Sequence, residues 1–346
     1  MVRPAPKLPA PSVPPDMGAL AAAIVTVVLW ASAFVGIRAA GHDLAAGPLT
    51  LARLAVGTLA LGALVLARRE PLPPRAAWPR LVAVGVLWFG VYNLALNQAE
   101  RSVDAGTAAM LVNVGPVFIA VLAGIVLHEG FPRTLIAGCG VAFAGAILIG
   151  AATSTGGASA WGAVLCIVAA IAYAVAVVAQ KPLLGGALSP LMVTWVACTV
   201  GLVCCLPFTP QLLQQAGNAR AGNIAWAVYL GLFPTAVAFT TWAYALARTS
   251  AGRMGATTYL VPPLAVLLGW AVQGEAPPPL ALAGGVLCLC GAGLARSRDK
   301  PRVFRRNWRR TLLPCPIRRP RSSGSPPSPT GPTAATPQAS SSTRGD

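Results

Sequence analysis

A chain of 346 residues that is 55% hydrophobic and only 10% charged, with a mean hydropathy of +0.67, carries more apolar surface than a water-soluble core can hide. The composition excludes a soluble globular domain and points to an all-α integral membrane protein whose first partner is the lipid bilayer. The formal net charge of +17 sits mainly in residues 296–346, which hold 12 of the 26 Lys and Arg, so it describes a tail suited to anionic lipid head groups rather than a nucleic-acid surface.

In chain order, residues 1–16 are Pro-rich and read as a disordered lead. The first apolar run, 17–37, contains Ala31-Ser32-Ala33, which has the form of a signal-peptidase site, but its length suits a spanning helix. Further runs follow at 48–66, 81–98, 105–127, 134–150, 161–180, 190–208, 223–246, 256–272 and 280–295. Each approaches the roughly 20 residues that a hydrocarbon core of about 30 Å requires, so ten transmembrane helices are predicted. The joints carry breakers such as Pro71-Leu72-Pro73-Pro74 and Pro277-Pro278-Pro279. The tail 296–346 is Arg-rich and then Ser/Pro-rich, and is predicted to be disordered and cytoplasmic.

Residues 106–149 return without a gap 146 positions later as 252–295: Gly106 faces Gly252, Pro116 faces Pro262, Glu129 faces Glu275, Gly138 faces Gly284 and Gly145 faces Gly291. The chain is therefore expected to hold two related halves, 17–150 and 161–295. Five helices per half is an odd number, so the second half must enter the membrane from the opposite side, giving two inverted five-helix repeats. In secondary transporters such repeats exchange conformations around a substrate site near the midplane. With a cytoplasmic N-terminus, the inner loops hold eight Lys and Arg (Arg68, Arg69, Arg75, Arg80, Arg133, Lys181, Arg248 and Arg253) and the outer loops three (Arg38, Arg101 and Arg220). That asymmetry places both termini inside.

Seven of the eight Cys lie in apolar runs, and neither His42 nor His128 has a partner at helical spacing, so no metal and no cofactor is expected. The polar and aromatic residues at depth define the candidate site. Asn113 and its repeat mate Tyr259 sit midway along helices four and nine; the Asn113 amide either bonds a neighbouring helix or lines a wet cavity. Pro116 and Pro262 follow three residues later and serve as gates or as packing bends. Asn93 and Asn97, at i and i+4 on helix three, share one face, with Trp88 and Tyr92 on an adjacent stripe; together they either hold a small molecule or bond and pack between helices. Trp242 lies on helix eight, and Trp30 on helix one pairs with Tyr173 on helix six as two sides of a substrate slot. Trp78, Trp161 and Trp226 lie at run ends, where the interfacial aromatic belt accounts for them. Glu129 and Glu275 end their helices and either cap the following helix across its tight turn or take part in coupling. No Asp or Glu lies at mid-membrane, which favours facilitated export, or coupling through groups at helix ends, over a buried proton carrier.

The segments Trp30-Ala-Ser-Ala-Phe-Val-Gly-Ile-Arg38 and Pro48-Leu-Thr-Leu-Ala-Arg53, with the Pro and Glu pattern of 111–129 and its recurrence at Pro262 and Glu275, resemble EamA-type proteins of the drug/metabolite transporter superfamily. The resemblance spans about 18–295. It implies a ten-helix carrier of the plasma or bacterial inner membrane that exports small metabolites, often amino acids. Lys181 answers Arg38 in the second half, whereas Arg53 has no basic counterpart, Trp195 standing in the matching place. Two other readings remain: an integral-membrane enzyme acting on a lipid, and a non-transporting scaffold whose tail binds a partner.

Overall fold

The computed structural model describes residues 16–99, 111–153, 159–186, 188–273 and 278–297. Among them the chain is all helical. The ten elements are α1 (Met17–Ala40), α2 (Ala46–Ala67), α3 (Arg75–Ala99), α4 (Gly115–Val126), α5 (Arg133–Thr153), α6 (Ala160–Leu184), α7 (Pro190–Asn218), α8 (Ala221–Arg248), α9 (Ala251–Ala271) and α10 (Pro279–Arg296). Nine are long and apolar enough to cross a membrane, and α4 is shorter. A helix satisfies every interior backbone group within itself, which is why these runs fold as helices in lipid.

Expected boundaries hold within about six residues except in α7 and in α4, whose expected start at 105 lies outside the described residues. The spanning part of α7 gives way to a 3-10 turn at Leu206–Phe208, then to a helix over Thr209–Asn218 that lies beyond the apolar run 190–208. Gln215 from that extension accepts a hydrogen bond from Ala45 N at 2.8 Å, closing the start of α2.

The helix pairings show how the halves fit together. Helix α1 packs on α8 and α9, while α6 packs on α3 and α4; α2 packs on α7 and α8, while α7 packs on α2 and α3; α4 meets α9, and α5 meets α10. Exchanging each helix for its repeat mate turns this set into itself, so the two halves share one architecture and are related by an exchange of places.

Small residues make the close pairs. A methyl group at Gly145 would stand 2.5 Å from Gly284 O, and one at Gly284 would stand 2.6 Å from Gly145 O, so α5 and α10 approach backbone to backbone. A second matched pair is Gly85 and Gly231, again 146 apart. A methyl at Gly85 would meet Val200 Cβ at 2.5 Å and Ala197 O at 2.7 Å; one at Gly231 would meet Val56 Cβ at 2.6 Å and Arg53 O at 2.8 Å. Ala197 thus takes the place opposite Arg53, which corrects Trp195 and leaves Arg53 without a basic mate. Both glycines open π-helical segments, Gly85–Tyr92 in α3 and Gly231–Val237 in α8.

Candidate functional site

Helices α4 and α9 are both interrupted at the same repeat position. In α4 the turn at Asn113 and Val114 separates the residues before it from Gly115–Val126, whose first turn holds Pro116. In α9 a 3-10 turn at Thr258–Leu260 precedes Val261 and Pro262. Proline lacks the N–H that would continue the ladder and crowds the turn before it, so each break falls where its sequence puts it. Asn113 and Tyr259 sit inside these breaks.

Tyr173 of α6 stands where the two breaks meet. A methyl at Gly115 would lie 2.9 Å from its ring, and its hydroxyl lies beside Thr258. The Thr258 hydroxyl is committed to Gly255 O at 2.7 Å. The hydroxyls of Tyr173 and Tyr259 are both buried with no hydrogen-bond partner among the described residues. An unpaired hydroxyl in an apolar interior costs on the order of 1–3 kcal/mol, so two of them near one junction mark it as unlike ordinary core.

From Tyr173 an aromatic cluster extends through the centre of the bundle. Its ring centroid is 5.2 Å from Trp88, 5.9 Å from Tyr92 and 6.3 Å from Trp242. Trp30 approaches Trp242 at 5.1 Å, stacked, and Trp88 at 6.2 Å. Trp30 and Tyr173 therefore each contact both Trp88 and Trp242, and the expected slot is filled in this conformation by those two buried indoles. Phe239 joins the cluster, 5.0 Å from Trp88. Gln180, buried on α6, accepts from Trp242 Nε1 at 3.2 Å and fixes its indole.

The two asparagines of α3 serve the helices. Asn93 Nδ2 donates to Trp88 O at 3.0 Å and to Phe89 O at 3.1 Å, two carbonyls of the π segment that precedes it. Asn97 Nδ2 donates across to Thr50 Oγ1 on α2 at 2.6 Å. In α8 the matching segment contains Pro234, whose missing N–H frees Leu230 O; the Thr235 hydroxyl takes that carbonyl at 2.8 Å. Its oxygen then accepts from Arg53 Nε at 3.1 Å.

At the end where α1 begins, Glu129 and Lys181 knit four helices. Glu129 accepts from Ala251 N at 2.8 Å and Gly252 N at 3.2 Å, so it caps α9 of the other half and not α5 across its own turn, as expected from the sequence. Lys181 Nζ donates to Leu246 O at 2.6 Å and Thr249 O at 2.7 Å, closing the C-terminus of α8. Towards the opposite end a cavity of about 350 Å³ opens between α1, α8 and α9, lined by Ser32, Trp226, Tyr229 and Leu268 among others. Ser32 Oγ and Tyr229 OH are 2.7 Å apart at its wall.

The structure thus gathers Trp30, Trp88, Tyr92, Tyr173 and Trp242 into one cluster and sets the α4 break, at Gly115, against Tyr173. The Tyr259 ring instead packs with Leu135, Cys139 and Cys288 of α5 and α10. Glu275, residues 1–15 and residues 298–346, with the lipid contact expected of the basic tail, lie outside the described residues, as does the Arg38 side chain. Gln180 and Thr235 escape a reading of the sequence because a polar residue inside an apolar run gives no sign of what it faces. No His/Cys/Asp/Glu grouping suited to a metal occurs among the described residues.

A profile described as the EamA-like transporter family matches residues 17–151 and 160–297. A protein of Streptantibioticus cattleyicolor named "Probable terminal-alkyne amino-acid exporter" is 38% identical over 283 residues, covering 80% of this chain and 93% of its own. The "Uncharacterized transporter YdfC" of Bacillus subtilis is 31% identical over 265 residues, 76% of this chain and 86% of its own. A solved crystal structure, described only as that of a protein, matches with a TM-score of 0.66 at 20% identity over 81% of this chain and 96% of that one, which shows the shared fold.

Proposed function

The chain belongs to the EamA-like transporter family and is a multi-pass membrane transporter rather than an enzyme; from that premise we propose that it exports small neutral or zwitterionic metabolites such as amino acids across the bacterial inner membrane. Substrate binds between α1, α3 and α4 and their mates α6, α8 and α9, against Trp30, Trp88, Tyr92, Tyr173 and Trp242, with Asn113 and Tyr259 at the helix breaks. The observation that carries this reading is the buried, unpartnered Tyr173 hydroxyl where the breaks of α4 and α9 meet. Broken helices at mid-membrane, in corresponding places of inverted repeats, are where such transporters bind polar groups.

Access alternates between the ends. The bonds of Glu129 and Lys181 hold one end shut, while the cavity lined by Ser32 and Tyr229 gives the other end its opening. Reversal requires those bonds to break and the α4 and α9 segments to pivot at Pro116 and Pro262. Both termini lie in the cytoplasm, and the basic tail rests on anionic lipid. The amino-acid substrate class is supported by the printed name of the Streptantibioticus relative.

Counterflow of radiolabelled L-propargylglycine in proteoliposomes holding the full chain tests the reading. Protein-dependent flux is expected, cut about 10-fold or more in Asn113→Leu, with a smaller loss in Tyr173→Phe. Unchanged flux in both variants removes this site assignment.

A further inference from the structure

We propose that Arg53 is the group that takes the substrate's carboxylate; this deepens the export reading above by fixing the charge its substrate must carry. Arg53 is the eighth residue of α2, about 10 Å from the helix start at 1.5 Å per residue, and only 9% of it is exposed. It is too deep and too enclosed to reach an interface. A cation held within a spanning segment is expensive unless it is partnered, and it marks a ligand or ion path more often than a packing need.

The structure gives Arg53 one bond, from Nε to Thr235 Oγ1, and that acceptor is an uncharged hydroxyl. Among the described residues no carboxylate pairs with it; the ion pair found there joins Arg248 to Asp16. Its Nη groups, the outer edge of the planar fork that grips a carboxylate through two parallel bonds, have no hydrogen-bond acceptor among the described residues. Packing does not require the charge either. In the other half Ala197 occupies the same place, its carbonyl set against Gly85 as that of Arg53 is against Gly231. The α7–α3 contact closes there without any cation.

The neighbourhood also fits a two-part ligand. Tyr92 stands close enough to Arg53 to act on it electrostatically, and its ring lies 5.9 Å from Tyr173 in the aromatic cluster. A carboxylate on Arg53 would leave the rest of a small molecule against Tyr92, Tyr173 and Trp88. The ligand class is therefore an apolar or weakly polar molecule bearing one carboxylate, which an amino acid satisfies and its amide does not.

Reconstituted full chain is given radiolabelled L-propargylglycine, with unlabelled L-propargylglycine or L-propargylglycinamide as competitor. On the unaltered protein the amide should compete about 10-fold more weakly or worse, the scale of losing a charge-assisted bond. Arg53→Gln should lose tracer flux to a similar degree and Arg53→Lys should keep part of it, with melting in detergent reporting that each is folded. If Arg53→Gln does not fold, the competition on unaltered protein and the Arg53→Lys variant decide. Equal competition by acid and amide, or a folded Arg53→Gln that keeps both flux and discrimination, overturns the assignment while leaving export intact. Absence of any protein-dependent tracer flux overturns the amino-acid reading and this assignment with it.

Discussion

The α5–α10 contact and the α3–α8 pair are both built from repeat-related helices, yet they use the repeat in opposite ways. Where α5 meets α10 the glycines of closest approach are the same on the two sides: Gly138 faces Gly291 and Gly145 faces Gly284. In α3 and α8 the backbone device is the same, a π segment opening on glycine, but the side chains that complete it differ. Asn93 plugs one and Thr235 the other, and only the second holds a cation. Identity serves a contact that both halves must hold; difference appears where a ligand with unlike ends must be read. The sharpest way to break the first region is Gly291→Leu, whose Cβ would stand 2.6 Å from Ala142 Cβ and from Gly138 O. Backbone cannot retreat as a side-chain tip can, so a loss of about 3 kcal/mol or more is expected, read as collapse of the monodisperse peak in size-exclusion chromatography.

The second region is tested by unplugging each π turn. Asn93→Leu removes the donor to two buried carbonyls, and Thr235→Val removes one donor and the acceptor for Arg53. Each should cost about 1–3 kcal/mol, seen as a lowered melting temperature in detergent. They should part in function: Thr235→Val should weaken discrimination of acid from amide, while Asn93→Leu should lower flux only as far as it lowers folded protein. Equal loss of discrimination in both would mean that the two plugs do the same work and that the asymmetry at Arg53 is incidental.

The same division governs what the sequence could tell. The ten helices, the 146-residue repeat and the glycine and proline positions were legible because each follows from composition, from hydropathy or from identity between halves. Trp30, Trp88, Tyr92, Tyr173 and Trp242 were also legible as a group, since large rings at matched depth in facing helices have one place to go. Partners across the bundle were not. Glu129 was expected to cap α5 because the turn brought it near, but the start of α9 lies closer in space, and no local spacing encodes that. Asn93 and Asn97 lie in one α-helical stretch and share a face, but Asn93 turns back onto the π segment before it while Asn97 reaches α2.

The smallest expected effect lies at the end that carries the cavity. Asp43, in the turn between α1 and α2, accepts from Arg220 N at 2.8 Å and from Asn223 Nδ2 at 2.7 Å, tying that turn to the start of α8. The Arg220 N–H and then the Asn223 amide hold its carboxyl below the ordinary value of 3.8, because both bonds favour the charged form. A carboxyl lowered in the folded state contributes its stabilisation above the unfolded value and loses it as pH falls through the folded one. The tie should therefore be fully present at pH 7 and lost only as the pH falls below 3.8. Hydrogen exchange at Arg220 should be faster in Asp43→Ala than in the unaltered chain at pH 7, by a factor of about two to five, the scale of an exposed interaction. The two chains should converge as the carboxyl is protonated. A difference that persists unchanged into acid would show that the Asp43 side chain acts by packing and not by charge, and that the opening end, unlike the end closed by Glu129 and Lys181, is held without electrostatics.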